Sequence, residues 1–302
     1  LNHAAVDLDQ VFKSFGSIVA VDCLSASVPA GAIYGFLGPN GAGKTTTLRM
    51  MLNIISPDRG RIEILGHPST KDNAARTGYM PEERGLYRKM KVRDVLTYFA
   101  ALKGMERRRL AGAAAEWLDR VELGQWAERR VEDLSRGMQQ KLQFAVTVIH
   151  EPDLLILDEP FSGLDPVNLE LLRDIMLSLR QEGKTVIFST HMMEQAERLC
   201  DFILLINQGR KVIDGTLDQV RSQYQSHAVL AQLEGDGAFV ETLPMVSGVS
   251  RQGRALEISL REGADSQELL QALVGRVRVR SFAEKAPSLH EIFVHLVGRR
   301  HE

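Results

Sequence analysis

The chain has 302 residues, 44% of them hydrophobic and 25% charged, which is enough for a large core and two domains. Its formal net charge of −2 lacks the basic excess of proteins that track nucleic acid. The two cysteines, Cys23 and Cys200, lie far apart without CxxC spacing; this argues against a disulfide framework or a zinc site and for a reduced, cytosolic setting.

The opening LNHAAVDLDQ has neither the basic start nor the apolar stretch of a secretory leader. The most apolar runs, DLLILD and DFILLIN, fall short of the ~18 residues of a membrane span, so a membrane role calls for another chain. Residues 32–38, AIYGFLG, read as a buried strand followed by a helix over 43–54. From about 83 to 150 strands vanish. KVRDVLTYFAALKGM, ERRRLAGAAAEWLDRVEL and SRGMQQKLQFAVTVI carry helical periodicity there, which reads as a helical insertion. DLLILDEP, 153–160, is again a strand with acidic residues at its end. A helix over 166–183, a strand over 184–190, a helix near 193–199 and a strand over 201–207 follow. Such alternation implies a largely parallel α/β sheet with ligands at the strand C-termini. From about 226 the rhythm changes. HAVLAQLEG, FVETLPMV, ALEISLR, DSQELLQALVG, VRVRSF and SLHEIFVHLVG read as strand, helix, strand, helix, strand, helix. An extra strand near 248–251 would make a ferredoxin-like βαββαβ unit with a trailing helix. No chemical motif is visible in it.

GPNGAGKT, residues 38–45, satisfies G-x-x-x-x-G-K-[ST] after a predicted strand and at the opening of a predicted helix. The expected nucleotide-binding stretch is Gly38, Pro39, Asn40, Gly41, Ala42, Gly43, Lys44, Thr45 and Thr46. Gly41 and Gly43 let the backbone curl so that several N–H groups face one phosphate chain. Lys44 brings charge to the β- and γ-phosphates, and the Thr45 hydroxyl is placed for Mg²⁺. At the end of LLILD, Asp158 can hold the Mg²⁺ shell and Glu159 can accept a proton from attacking water. Asp-Glu also decorates solvated strand ends; the cradle decides for the functional reading. A lone histidine is usually packing or surface. His191, however, ends a parallel strand on the γ-phosphate side, which favours a phosphate contact and water orientation. Phe15, in VFKSFGS, stays open between a core aromatic and an adenine-stacking platform.

VEDLSRGMQQKLQF, residues 131–144, adds a second phosphate-attracting feature. Ser135 can cap a helix there and Gly137 keeps its first turn bare, so free N–H groups and the macrodipole point outward. One nucleotide does not need two cradles from one protomer.

The cradle, GYMPEE, LSRGMQQ, LLILDEP, SGLDP and STH, in this order over residues 6–225, resemble the nucleotide-binding subunit of an ATP-binding cassette (ABC) transporter. The closer resemblance is to bacterial cytoplasmic subunits of ABC-2-type exporters, including the sodium-extrusion and drug-efflux kinds. Their extra C-terminal domain often ends in a segment like PSLHEIFVHLVG. The resemblance implies a P-loop NTPase core with a mainly parallel sheet over 1–225, a helical subdomain at about 83–150 inside it, and a small ferredoxin-like α+β domain over 226–302. It implies ATP and Mg²⁺ as ligands, and two cassettes, copies or paralogues, packed head to tail. Each ATP would then lie between one cradle and the other protomer's Ser135 and Gly137, with Asp165 across the same interface. Glu82 would sit in the loop that senses Mg²⁺ and water. The loop over 82–89 would receive an integral membrane permease, placing the subunit peripherally at the inner face of the cell membrane.

Three departures stand out. Arg136 replaces the first glycine of the usual LSGGQ, Met138 replaces its glutamine, and Glu82 stands where glutamine is usual. Gln139 comes one position too late to be equivalent. A soluble ABC ATPase acting on DNA or ribosomes is the alternative. Translation-type members carry two cassettes and DNA-repair members long coiled coils, whereas this chain has a single GKT, a single LSRG and no heptad tract. A GTPase switch would use N-K-x-D, and no asparagine here precedes a lysine.

Overall fold

The computed structural model describes residues 4–70, 73, 75–83, 85–224, 228–235, 237–253, 255–261 and 263–298. The chain divides into two compact units, Leu1–Leu217 and Asp218–Glu302.

The first unit opens with two long strands, β1 (Ala4–Phe15) and β2 (Ile18–Pro29), paired antiparallel. With β4 (Arg59–Ile64) and the short β5 (His67–Pro68) they form a sheet ordered β2-β1-β4-β5. Register shifts between Leu8 and Val11 and again after Lys13 break the two-residue alternation of β1. This sheet therefore left no clear periodic trace among the patterns read above.

The second sheet is built from β3 (Ile33–Leu37), β6 (Thr77–Met80), β7 (Leu154–Asp158), β8 (Thr185–Thr190), β9 (Phe202–Asn207) and β10 (Arg210–Thr216). Its order is β10-β9-β3-β8-β7-β6, parallel throughout except for β10. Every residue of β3, β7 and β8 is buried, as expected for strands covered on both faces. One buried cluster takes Leu8 and Leu24 from the first sheet, Phe36, Ile156 and Ile187 from the second, and Leu48 and Met51 from α1 (Lys44–Met51). Of the two cysteines, Cys23 is exposed on β2, while Cys200 is buried with its Sγ where a Gly35 Cβ would come within 2.7 Å.

Between β6 and β7 stand α2 (Val92–Leu102), α3 (Arg107–Arg120) and α4 (Arg136–Val148), the helical insertion expected there. The sheet connections are completed by α5 (Pro166–Gln181) and α6 (Met193–Leu199). Asp165 caps α5, and Pro166 opens it where a missing N–H costs nothing. α4 approaches β6 closely: a Cβ on Gly78 would lie 2.5 Å from the Thr147 carbonyl oxygen and 2.9 Å from Leu155 Cδ2.

In the second unit, α7 (Leu217–Gln223) is followed by β11 (Ala228–Glu234), β12 (Val246–Gln252), β13 (Ala255–Leu260), α8 (Ser266–Val274), β14 (Arg278–Glu284) and α9 (Leu289–Gly298). The four strands are antiparallel in the order β12-β13-β11-β14, the ferredoxin-like arrangement anticipated above. Its first helix is only a five-residue 3₁₀ segment, Ala238–Thr242. Pro244 and the nearby return to β12 leave no room for a longer one. Val229, Ala231, Ile258, Leu269 and Leu273 make its core.

The Gly78 contact yields a stability test. Gly78→Ala must displace α4 or the Leu155 side chain, and overpacking of this kind costs about 1–3 kcal/mol. Urea unfolding should show the loss, and an unchanged midpoint would mean that the helix yields freely.

Candidate nucleotide site

Between the end of β3 and the start of α1 the backbone turns through Gly38, Gly41 and Gly43, all at positive φ. No side chain fits at Gly38 or Gly43, whose Cβ atoms would lie 2.2 Å from the Ile206 carbonyl oxygen and 2.4 Å from the Ala20 carbonyl oxygen on β2. No side chain caps α1, so its first N–H groups are left for an anion. A cavity of about 400 Å³ opens here, lined by Ile18, Val19 and Ala20, by the turn from Asn40 to Thr46, and by Glu82 and Glu159.

Lys44 is almost fully buried. Its Nζ donates to the carbonyls of Gly38 (2.7 Å) and Pro39 (3.1 Å) and lies 3.7 Å from Glu159 Oε1. Burial pulls its pKa below the usual lysine value, against the opposing pull of Glu159, Asp158 and Glu82.

Asp158 ends β7 and is 1% exposed. Its Oδ1 accepts from Thr45 Oγ1 at 3.1 Å and from Ser189 Oγ, whereas Oδ2 is buried without a hydrogen-bond partner among the described residues. An orphaned carboxylate oxygen beside a threonine hydroxyl is the hard-oxygen donor set that a divalent cation takes, so the residues present fit Mg²⁺.

Glu159 has φ 49°, in the left-handed region, and its N–H donates to both the carbonyl (3.2 Å) and the hydroxyl (3.0 Å) of Ser189. A bulky residue persists in that conformation only when its surroundings over-determine it. His191 Nδ1–H donates to both Glu159 carboxylate oxygens at 3.1 Å. Cradle, Glu82, Asp158, Glu159 and His191 thus meet at one place.

Phe15 does not line the cavity. It sits half-exposed at the tip of the β1–β2 hairpin, paired with Ile18, with Lys13 Nζ 5.5 Å from its ring centroid. Ser135, Gly137 and Asp165 do not line it either. Ser135 caps α4, its Oγ accepting from Met138 N–H at 3.3 Å, and it remains exposed together with Arg136. Asp165 Oδ1 accepts from the N–H groups of Val167 and Asn168, bonds that hold its carboxyl below the usual range. Asn168 and Leu164 are also the nearest groups to a Cβ on Gly137, so the two turns are neighbours. Gln139 donates inward, to the carbonyls of Leu134 (3.0 Å) and Val131 (3.3 Å), and is taken out of any ligand contact.

Three residues of the site escaped the sequence reading. Ser189 braces both acids. Gln140 Nε2 donates to the Pro160 carbonyl at 3.1 Å, and Gln143 Nε2 to the carbonyls of Pro81 (2.8 Å) and Glu83 (3.3 Å). Buried glutamines at helical spacing look like surface residues in a sequence; only their place on the apolar side of α4 could have signalled them. A second, mostly apolar groove of about 290 Å³ is lined by Tyr79, Pro81, Leu86, Phe99, Gln143 and Val146. Tyr87 and Tyr98 are partly exposed and pack edge to face, 5.5 Å between centroids. Arg84, in the loop expected to receive a permease, lies outside the described residues.

A glycine-rich turn between a central parallel strand and its helix, with a buried acid ending a strand of the same sheet, places the first unit among the P-loop nucleoside triphosphatases. Comparison with known proteins narrows this. Residues 21–162 match the ABC transporter family, and residues 215–297 match the C-terminal domain of DrrA1-3-like ATP-binding proteins. An uncharacterised ABC transporter ATP-binding protein of Bacillus subtilis (strain 168), YhaQ, is 41% identical over 98% of this chain and 99% of its own. The Nod factor export ATP-binding protein I of Rhizobium sp. (strain N33) is 36% identical over the whole of both chains. A solved ATP-binding subunit of an ABC transporter covers 73% of this chain and 93% of its own with a TM-score of 0.68 at 28% identity. The chain belongs to the ATP-binding proteins of ABC transporters, ATPases coupled to transport.

Because one hydroxyl serves Asp158 and Glu159 together, Ser189→Ala should cost about 1–3 kcal/mol, the range for stranding buried polar partners. Urea unfolding measures it; full stability would show that the acids hold themselves in place.

Proposed function

We propose that this chain drives an exporter by closing on a second cassette around ATP and reopening after hydrolysis. The observation that carries the reading is the separation of the two anion-attracting features. Ser135 and Gly137 do not line the chain's own cavity, and Ser135 is exposed. Placed against a second cassette, a copy or a paralogue, they would reach the γ-phosphate held by the other cradle. ATP then makes contacts in the closed state that it lacks in the open one, which is what lets a ligand drive closure.

Within the cavity, the curled backbone and the α1 N-terminus take the phosphate chain, and Lys44 exchanges its loop carbonyls for β- and γ-phosphate oxygens. Thr45 and Asp158, with Glu82 nearby, are the residues that would hold Mg²⁺. When bound, that ion offsets charge on the phosphate oxygens. Glu159 accepts the proton of the attacking water while His191 steadies its carboxylate. The water oxygen bonds to the γ-phosphorus as the bond to the β–γ bridging oxygen breaks, leaving ADP and inorganic phosphate. Loss of the bridging γ-phosphate removes the contacts across the seam, and the pair opens.

Among the described residues no helix is long and apolar enough to cross a membrane; in this reading the permease is a separate chain. The groove beside the loop at 82–89, with its partly exposed tyrosines, suits docking of a short apolar segment of that chain. In this reading the protein works at the cytoplasmic face of the membrane. Export is supported by the relatives named for Nod factor export; the cargo belongs to the permease.

Glu159→Gln should nearly abolish turnover and accumulate an ATP-bound dimer, seen by light scattering. Monomer alone in excess ATP would defeat the sandwich. Lys44→Ala should weaken ATP binding roughly 10- to 100-fold, the scale of losing a charge-assisted contact, as measured by calorimetry. Unchanged affinity would count against the cradle.

A further inference from the structure

The loop that carries Glu82 is the wall of two spaces. Glu82 lines the phosphate cavity, while Pro81, Gly85 and Leu86 line the apolar groove. Gln143, on α4 and 4% exposed, bonds this loop at the two carbonyls on either side of Glu82, Pro81 at 2.8 Å and Glu83 at 3.3 Å. Its two amide hydrogens suit two acceptors. Its Oε1 is buried without a hydrogen-bond partner among the described residues, so the side chain's hydrogen bonding is directed at the loop. The Gln143 carbonyl accepts from Thr147 Oγ1 at 2.9 Å, a bond that stays within α4 and does not involve the amide that reaches the loop.

We propose that Gln143 is a positioning residue for ATP turnover, holding Glu82 in the phosphate cavity by clamping the carbonyls that flank it. The proposal rests on Glu82 acting in that cavity, as read above. The Pro81 carbonyl belongs to the peptide that enters Glu82 and the Glu83 carbonyl to the peptide that leaves Glu83, so the two bonds pin both ends of the Glu82–Glu83 pair and limit where the Glu82 carboxylate can reach. The same helix begins at Ser135, about 12 Å away along its axis at 1.5 Å per residue. A cassette seated on Ser135 and the loop seated under Gln143 are therefore held by one rigid element, and a shift at either end is felt at the other.

The test uses the full chain in four forms beside the wild type: Gln143→Met, Gln143→Asn, Glu82→Ala and the Gln143→Met/Glu82→Ala double. Thr147→Val, which loses the hydroxyl's bonds to the Gln143 and Tyr79 carbonyls but keeps the Gln143 amide, serves as the structural control. Amide hydrogen exchange is followed for residues 79–90 without nucleotide, ATP affinity without Mg²⁺, and kcat and KM with Mg·ATP. Gln143→Met should speed exchange of the loop and lower kcat, each about tenfold, for two lost hydrogen bonds, with ATP affinity within about twofold. Gln143→Asn, with its donors on a shorter arm, should fall between, and exchange in the rest of the chain reports whether each variant is folded. The double should turn over no more slowly than Glu82→Ala alone. Wild-type kcat in Gln143→Met, an equal loss in Thr147→Val, or additive losses in the double would overturn the clamp. Wild-type kcat in Glu82→Ala would instead remove the reading of Glu82, and the clamp's purpose with it.

Discussion

A carboxylate sealed from water has to be answered by partners, and the arrangement around Asp158 follows from that need. Thr45 comes to it from the start of α1 and Ser189 from β8, so one acid ties a helix to two strands. β8 lies between β3 and β7 in the sheet, which puts Ser189 midway between the cradle's strand and the acid's. From there its hydroxyl also reaches the N–H of Glu159, the residue at which the backbone makes its left-handed turn. The remaining oxygen of Asp158 is surplus polarity of the kind a divalent cation would answer.

α4 organises the rest. It starts at an exposed cap, carries Gln140 and Gln143 to the loops behind Glu159 and Glu82, and presses its Thr147 carbonyl against Gly78. Helix and sheet meet there without slack, and close-packed contacts transmit displacement rather than absorb it. The helical insertion is thus bound to the parallel sheet by polar links at two loops and by a steric stop at β6. The aromatic groove lies against the same helix through Gln143 and Val146.

Much of the core was legible in the sequence because strands buried on both faces become unbroken apolar runs. AIYGFL, LLILD and TVIFST announce themselves. β1 and β2 did not, since bulges shift their register and charged residues punctuate them. The cradle, the acidic pair and His191 were readable as motifs, and the structure brings them together. Phe15 was undecidable by type, and the structure sets it at a hairpin tip beside the cavity's wall. Ser189 and the two glutamines were invisible for a common reason. Their value lies in bonds to backbone atoms distant in the chain, and no local pattern encodes those. The segment FVETLPMV looked helical but forms a single 3₁₀ turn, cut short before β12.

The two thiols occupy opposite environments. Burial pushes the Cys200 thiol well above its ordinary pKa and shuts reagents out, whereas Cys23 stands open on β2, the strand whose Ile18–Ala20 stretch forms one side of the phosphate cavity. The native chain therefore offers a single addressable handle for a fluorophore or spin label. A probe attached there would watch the cavity fill and empty in the unaltered sequence.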